Sequence, residues 1–234
     1  MKDLQNSKSG LLINSGSSRT LWRNNLVLLF SLCIMIFILP VLPSEDYLLS
    51  RILLAVIVIS GLFAAEFSRR IFKILVGLGS IVILMIAVNL VFTDSKNIDA
   101  LSLILNTFFF IAVTVALITH VAKAETVSRS TLVLAVNSYL LIGLTASILF
   151  IILDLLVPES FPQIDFGPGS FSAFIYFGFV TLTTLGYGDI TPAVPLARSL
   201  ATFTTLIGQL YLVIIMAFII GKFLNTKGTD QKME

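Results

Sequence analysis

Six stretches of this 234-residue chain run for 17 residues or more without a single Asp, Glu, Lys or Arg. Runs of that length and apolarity suit the interior of a bilayer, where a helix needs about 20 mostly apolar residues to cross. A water-soluble domain of this size must instead clothe its surface in polar groups. Hydrophobic residues make up 57% of the chain and charged residues only 12%, against about 25% in soluble domains. This composition excludes a soluble enzyme, a disordered chain and a fibrous one. The net charge of +2 leaves no basic footprint for nucleic acid. The lone Cys33 excludes an intrachain disulfide.

Six spans are expected: Leu26–Leu42, Tyr47–Ala65, Ile74–Phe92, Leu101–Ala122, Thr131–Leu153 and Ser199–Gly221. Pro40 and Pro43 stop the first, and Arg51 in the second has a stem long enough to snorkel. A seventh apolar stretch, Phe171–Leu185, is too short to span and ends in Thr and Gly, as a re-entrant segment would. The Pro/Gly cluster at Pro158, Pro162, Gly167, Pro168 and Gly169 supplies turns before it, with Ser170 as the expected N-cap. The fold expected is an all-α membrane protein of six transmembrane helices, with a re-entrant pore helix and filter between the fifth and sixth. It divides into a polar tail (1–25), a four-helix region (26–125), a pore domain (126–224) and a short tail (225–234).

Twelve Lys and Arg fall in one set of loops, and only Arg51, Lys96 and Arg198 in the other. The positive-inside bias then puts both termini in the cytoplasm of a cell-membrane protein. The outer loops are acidic, at Glu45, Asp46, Asp94, Asp99, Asp154, Glu159, Asp165 and Asp189. The first 25 residues do not read as a cleavable signal. With 13 residues after Gly221, no cytoplasmic ligand-binding module is expected there.

The chemistry concentrates in Thr183-Thr184-Leu185-Gly186-Tyr187-Gly188-Asp189. A cation stripped of water inside a bilayer must recover its lost oxygens, and backbone carbonyls can provide them. Successive carbonyls face one axis only when right- and left-handed residues alternate. Gly186 and Gly188 take the left-handed steps without steric cost. Leu185 and Tyr187 then point away and pack behind the strip, while the Thr184 hydroxyl adds the innermost ring of ligands. One chain supplies only a single strip of oxygens, so several chains must surround the ion.

These residues resemble the potassium-channel family, whose filter reads Thr-Val-Gly-Tyr-Gly. Leu185 stands where that family usually has Val. The resemblance covers the fifth span, the pore loop and the sixth span. It implies a homotetramer, with K⁺ as permeating ion at Thr184, Leu185, Gly186 and Tyr187, ringed by Gly188. It implies no cofactor and no enzymatic step. Tyr176-Phe177 stands where many members carry two Trp that brace the filter tyrosine. Val180 stands where some carry Glu, and an apolar residue there cannot share a proton with Asp189. These residues, with Thr183, are the expected filter support, although ordinary helix packing explains them as well.

Gly208, 20 residues after Gly188, matches the family's hinge glycine; close helix packing is the alternative. Met216, Ile219 and Ile220 near the inner end could form a constriction that closes by dewetting, or could face lipid or a neighbour. The fourth span carries no Arg/Lys ladder, so strong voltage gating is not expected. Asn89, Asn106 and Asn137 are expected to join helices, and His120 to sense pH or simply be solvated.

The reading is a potassium-selective channel without strong voltage gating. Its partners are three further copies of itself and membrane lipid, with no nucleic acid. The alternatives are a weakly selective cation channel and a six-span secondary transporter. The two halves show no internal repeat of the kind transporters carry.

Overall fold

A computed structural model describes residues 21–41, 47–64, 69–91, 96–124, 127–165 and 169–230. Most of the N-terminal tail, the acidic Glu45, Asp46 and Asp94, the turn residues Gly167 and Pro168, and residues 231–234 lie outside the described residues. The protein is all-helical, with seven helices and no strand among the described residues. In chain order these are α1 (Leu21–Val41), α2 (Tyr47–Leu62), α3 (Arg69–Val91), α4 (Lys96–Lys123), α5 (Arg129–Leu156), α6 (Ser170–Leu182) and α7 (Pro195–Asp230).

Five helices (α1, α3, α4, α5 and α7) are long and apolar enough to cross a membrane. The expected second span is shorter than its apolar run suggests. With 16 residues, α2 is about 24 Å long against a hydrocarbon thickness of about 30 Å. The 13-residue α6 is shorter still. At the other extreme α7 has 36 residues, so its helix carries on through 225–230, where a tail was expected.

Two boundaries differ from the sequence expectation for clear local reasons. Helix α1 is already formed at Leu21, ahead of the expected Leu26, and takes in Arg23, Asn24 and Asn25. Asn25 is fully buried there because α5 offers it partners. Pro40 does not simply stop this helix. The coil widens to a π-helix over Ile34–Ile38 and tightens to a 3₁₀ turn over Leu39–Val41. A proline lacks the N–H that the preceding turn needs, and the helix readjusts around that loss.

The start of α5 is fixed by a capping box. Ser128 Oγ accepts the Thr131 N–H at 3.2 Å and Thr131 Oγ1 accepts the Ser128 N–H at 3.4 Å. For α6 the cap is Gly169 rather than Ser170. Gly169 adopts a left-handed φ of 91°. Its carbonyl accepts the Ala173 N–H at 3.2 Å and the Ser172 hydroxyl at 2.8 Å, while Ser170 already lies inside the helix.

Helix α5 is the central post. Helices α4, α6 and α7 pack directly on it, α3 packs on α4, and α2 packs on both α3 and α4. The C-terminal end of α1 touches α6. Small residues permit the closest approach, as they must where no hydrophobic force draws apolar helices together. A Cβ added to Gly178 of α6 would overlap Ser147 Oγ of α5, and one added to Gly143 would meet the Phe179 ring. Below this contact Phe150, Phe161, Phe174 and Phe177 form an aromatic cluster with ring centroids 4.8–5.6 Å apart. Asn137 joins α5 to α1, as expected of it. Asn106 instead donates within its own helix, to the Ser102 carbonyl at 2.8 Å, and the buried Asn89 side chain meets no hydrogen-bond partner among the described residues.

Overpacking of this kind costs about 1–3 kcal/mol. Gly178→Ala should therefore lower the thermal unfolding midpoint in detergent, and adding Ser147→Ala should recover part of the loss by removing the overlapping oxygen. An unchanged midpoint in the single variant would contradict the close α5–α6 contact.

Candidate functional site

The signature segment grows directly out of the C-terminus of α6. Thr183 caps that helix, its N–H and hydroxyl both reaching the Phe179 carbonyl, at 2.9 and 2.7 Å. The next backbone donors turn back on the helix they have left. Thr184 N–H bonds the Thr181 carbonyl at 3.1 Å, and Leu185 and Gly186 N–H share the Val180 carbonyl at 3.0 and 3.4 Å. Val180 thus meets the segment through its carbonyl while its side chain is buried.

Left-handed φ recurs at every second residue: 62° at Thr184, 57° at Gly186 and 80° at Gly188. Leu185 and Tyr187 between them are not among the positive-φ residues. Two of these left-handed steps were legible from glycine; the third was not. A β-branched residue in this region is a true outlier, costing about 1–2 kcal/mol. Its N–H bond to Thr181, and the bond of Leu185 next to it, help hold Thr184 there. Nothing lies within 4 Å of a Cβ added at Gly186 or Gly188. In this chain their glycine is required by backbone angle, not by space.

Within the chain, the side chains of Leu185 and Tyr187 do not bury themselves against α6. They are 53% and 68% exposed, where packing behind the strip was expected. Phe177 is 4% exposed and faces the other way, with its ring against Phe150 and Phe161. Tyr176 has a different partner from the one the sequence suggested: its hydroxyl donates to Asp189 Oδ2 at 2.6 Å. That hydroxyl, first, and backbone N–H groups at Asp189 and Ile190 hold the Asp189 carboxyl below its ordinary range.

The outgoing end of the segment is clamped by residues that the sequence did not single out. Gln163 Nε2 donates to Thr191 Oγ1 at 2.9 Å, and its Oε1 accepts the Thr191 N–H at 3.3 Å. Ala193 N–H reaches the Ser160 carbonyl at 2.9 Å, and Phe161 N–H reaches the buried Asp154 carboxylate at 3.1 Å. From the first turns of α7, Arg198 donates to the Pro192 and Ala193 carbonyls at 3.2 and 2.9 Å. Asp154 and Arg198 had stood out only as loop charges. Their backbone partners carry no sequence signal.

Helix α7 runs unbroken past the segment. Thr205 Oγ1 donates to the Thr181 carbonyl of α6 at 3.2 Å. A Cβ added to Gly208 would overlap the Leu182 carbonyl oxygen, so a close crossing of α6 and α7 requires glycine there. Tyr211 hydroxyl donates to the Ala135 carbonyl of α5 at 2.6 Å. Beyond it Met216 and Ile220 are exposed and Ile219 is half-buried.

Residues 138–225 match the family described as "Ion channel". The chain is also 39% identical over 56 residues to the inward rectifier potassium channel Kirbac3.1 of Paramagnetospirillum magnetotacticum. That match covers 24% of this chain and 19% of the relative, so the chain spans about a fifth of that protein's length.

The Tyr176–Asp189 bond has a pH signature. Because the folded carboxyl titrates low, the bond is fully present above the ordinary Asp value of about 3.9 and is lost as pH falls through the depressed one. Tyr176→Phe removes the main cause, so the Asp189 carboxyl should titrate higher. Infrared titration of the carboxyl band checks this; identical curves for the two proteins would contradict the bond.

Proposed function

We propose that this chain is a potassium channel, supported by the ion-channel match of residues 138–225 and the 56-residue similarity to a potassium channel, and that four copies surround one axis and conduct K⁺ selectively. The observation that carries this reading is the alternation of φ at Thr184, Gly186 and Gly188. Alternating handedness turns successive carbonyls of Thr184 to Tyr187 toward one side, as a dehydrated cation requires. Clamps at both ends of the segment keep that strip at a fixed width.

The exposed Leu185 and Tyr187 side chains support assembly. So does the apolar face of α7 at Phe203, Leu206, Leu210 and Val213, each more than half exposed in the single chain. Neighbouring copies cover these groups, and four strips together replace the ion's water. Six spans are the reading for the bilayer, with α2 as the short one and α6 entering from outside without crossing. Both termini then lie in the cytoplasm. Bending near Gly208 moves Met216, Ile219 and Ile220 toward or away from the axis. Helix α4 carries no ladder of basic residues through the membrane, so voltage has little charge to act on.

Purified protein in planar bilayers under a K⁺/Na⁺ gradient should reverse near the K⁺ equilibrium potential. A reversal midway between the two equilibrium potentials would favour the weakly selective cation channel instead. Gly186→Ala should abolish K⁺ conduction, since each subunit then holds an alanine in a left-handed conformation at about 1–2 kcal/mol; unchanged selectivity would sink the filter assignment. Open probability should change little between strongly negative and strongly positive voltage. A steep sigmoidal activation curve would show a sensor that this reading lacks.

A further inference from the structure

Helices α1 and α5 meet at a buried polar node remote in sequence from the signature segment, and α7 bonds the same stretch of α5. Asn25 of α1 and Asn137 of α5 are both fully buried. Asn137 Nδ2 donates to the Asn25 carbonyl at 3.0 Å, and Asn25 Nδ2 donates to Ser130 Oγ at 3.3 Å. Ser130 and Asn137 are about two helical turns apart, on one face of α5. On the opposite face, the Ala135 carbonyl accepts the Tyr211 hydroxyl of α7 at 2.6 Å, and the Tyr139 and Tyr211 rings lie 5.7 Å apart. The first turns of α5 are therefore gripped by α1 on one side and by α7 on the other.

The node does little for stability as such. The Oδ1 atoms of Asn25 and Asn137 are buried and receive no hydrogen bond from the described residues. A buried amide satisfied only in part is no better for stability than a packed apolar side chain of similar size. What these bonds do provide is register: they set the height and rotation of α1 against α5. Residues following Tyr211 on α7 lead straight to Met216 and Ile220, which are exposed.

We propose that the Asn25–Asn137–Ser130 node is a positioning device that couples α1 to the inner end of α7 through α5. A shift of α1 against α5 then moves the Ala135 carbonyl relative to Tyr211 and changes how often the inner end is open. Asn137 and Tyr211 act through other groups and touch no permeating ion, so selectivity lies outside their reach. This inference rests on the channel reading above.

A double-mutant cycle on full-length protein in planar bilayers tests it. Asn137→Leu removes one of the two bonds to α1 while keeping the branched outline of the side chain, and Tyr211→Phe removes the hydroxyl bond from α7. Each should shift the open-to-closed ratio by about threefold or more, with the K⁺/Na⁺ reversal potential unchanged, and the double variant should shift it by less than the product of the two. Ser130→Ala, which removes only the acceptor of Asn25, should shift it in the same direction by less; it carries the cycle if Asn137→Leu does not assemble. Singles whose effects simply multiply, or no shift in either, would overturn the coupling. A wild-type protein that passes no K⁺ defeats the channel reading itself, a result distinct from a conducting protein with multiplicative variants.

Discussion

Everything at the candidate site hangs on the Val180 carbonyl, which takes the N–H groups of both Leu185 and Gly186. Irregular backbone at membrane depth is tolerated only where its polar groups find partners within the protein or line a water-filled path. A loop leaving α6 in an extended direction would carry its donors away from any acceptor. By folding back on the last turn of its own helix, the segment satisfies those donors. Left-handed steps at Thr184, Gly186 and Gly188 are the geometric consequence. The strain at Thr184 is held by the bonds on either side of it, as an over-determined functional backbone requires.

A strip held at one end alone would swing. The second anchor is built from α6, the segment before it and the start of α7, where Tyr176, Gln163, Ser160 and Arg198 between them hold Asp189, Thr191, Pro192 and Ala193. Several bonds to separate elements are stiffer than one strong bond, because no single side-chain rotation releases the loop. The helices can serve as anchors because Gly178 and Gly208 let α5, α6 and α7 approach within backbone contact and Gly143 makes room for the Phe179 ring. A side chain at any of the three would push the anchors apart. Glycine is thus used here in two unrelated ways, for angle in the segment and for proximity in the helices.

The helices before α5 contribute differently. Helix α1 reaches both ends of the molecule's working half, touching α6 at its π and 3₁₀ end and bonding α5 at its beginning. The widened turn around Pro40 and the buried Asn25 are local irregularities, and each lies where α1 meets α6 or α5. Asn24 extends the same pattern, donating to the Phe63 carbonyl near the end of α2 at 3.1 Å.

The sequence by itself determined the all-helical membrane class, most helix positions and the place of the signature segment. Uncharged length reports the bilayer directly, and a left-handed backbone leaves its mark as glycine. Where a second residue far along the chain decides the outcome, only the tertiary structure could settle it. Asn25 is drawn into α1 by partners more than a hundred residues away, Tyr176 finds Asp189 rather than Tyr187 in this chain, and Phe177 turns toward Phe150. The left-handed Thr184 was hidden because threonine carries no mark of that conformation; neighbouring hydrogen bonds to Val180 and Thr181 hold it there. Gly208 could be read from sequence as a hinge or as a packing glycine, and the Leu182 carbonyl beside it gives a reason of space for glycine. Local conformational demands are written in residue type, whereas the choice among possible partners belongs to the packing of helices that the sequence keeps apart.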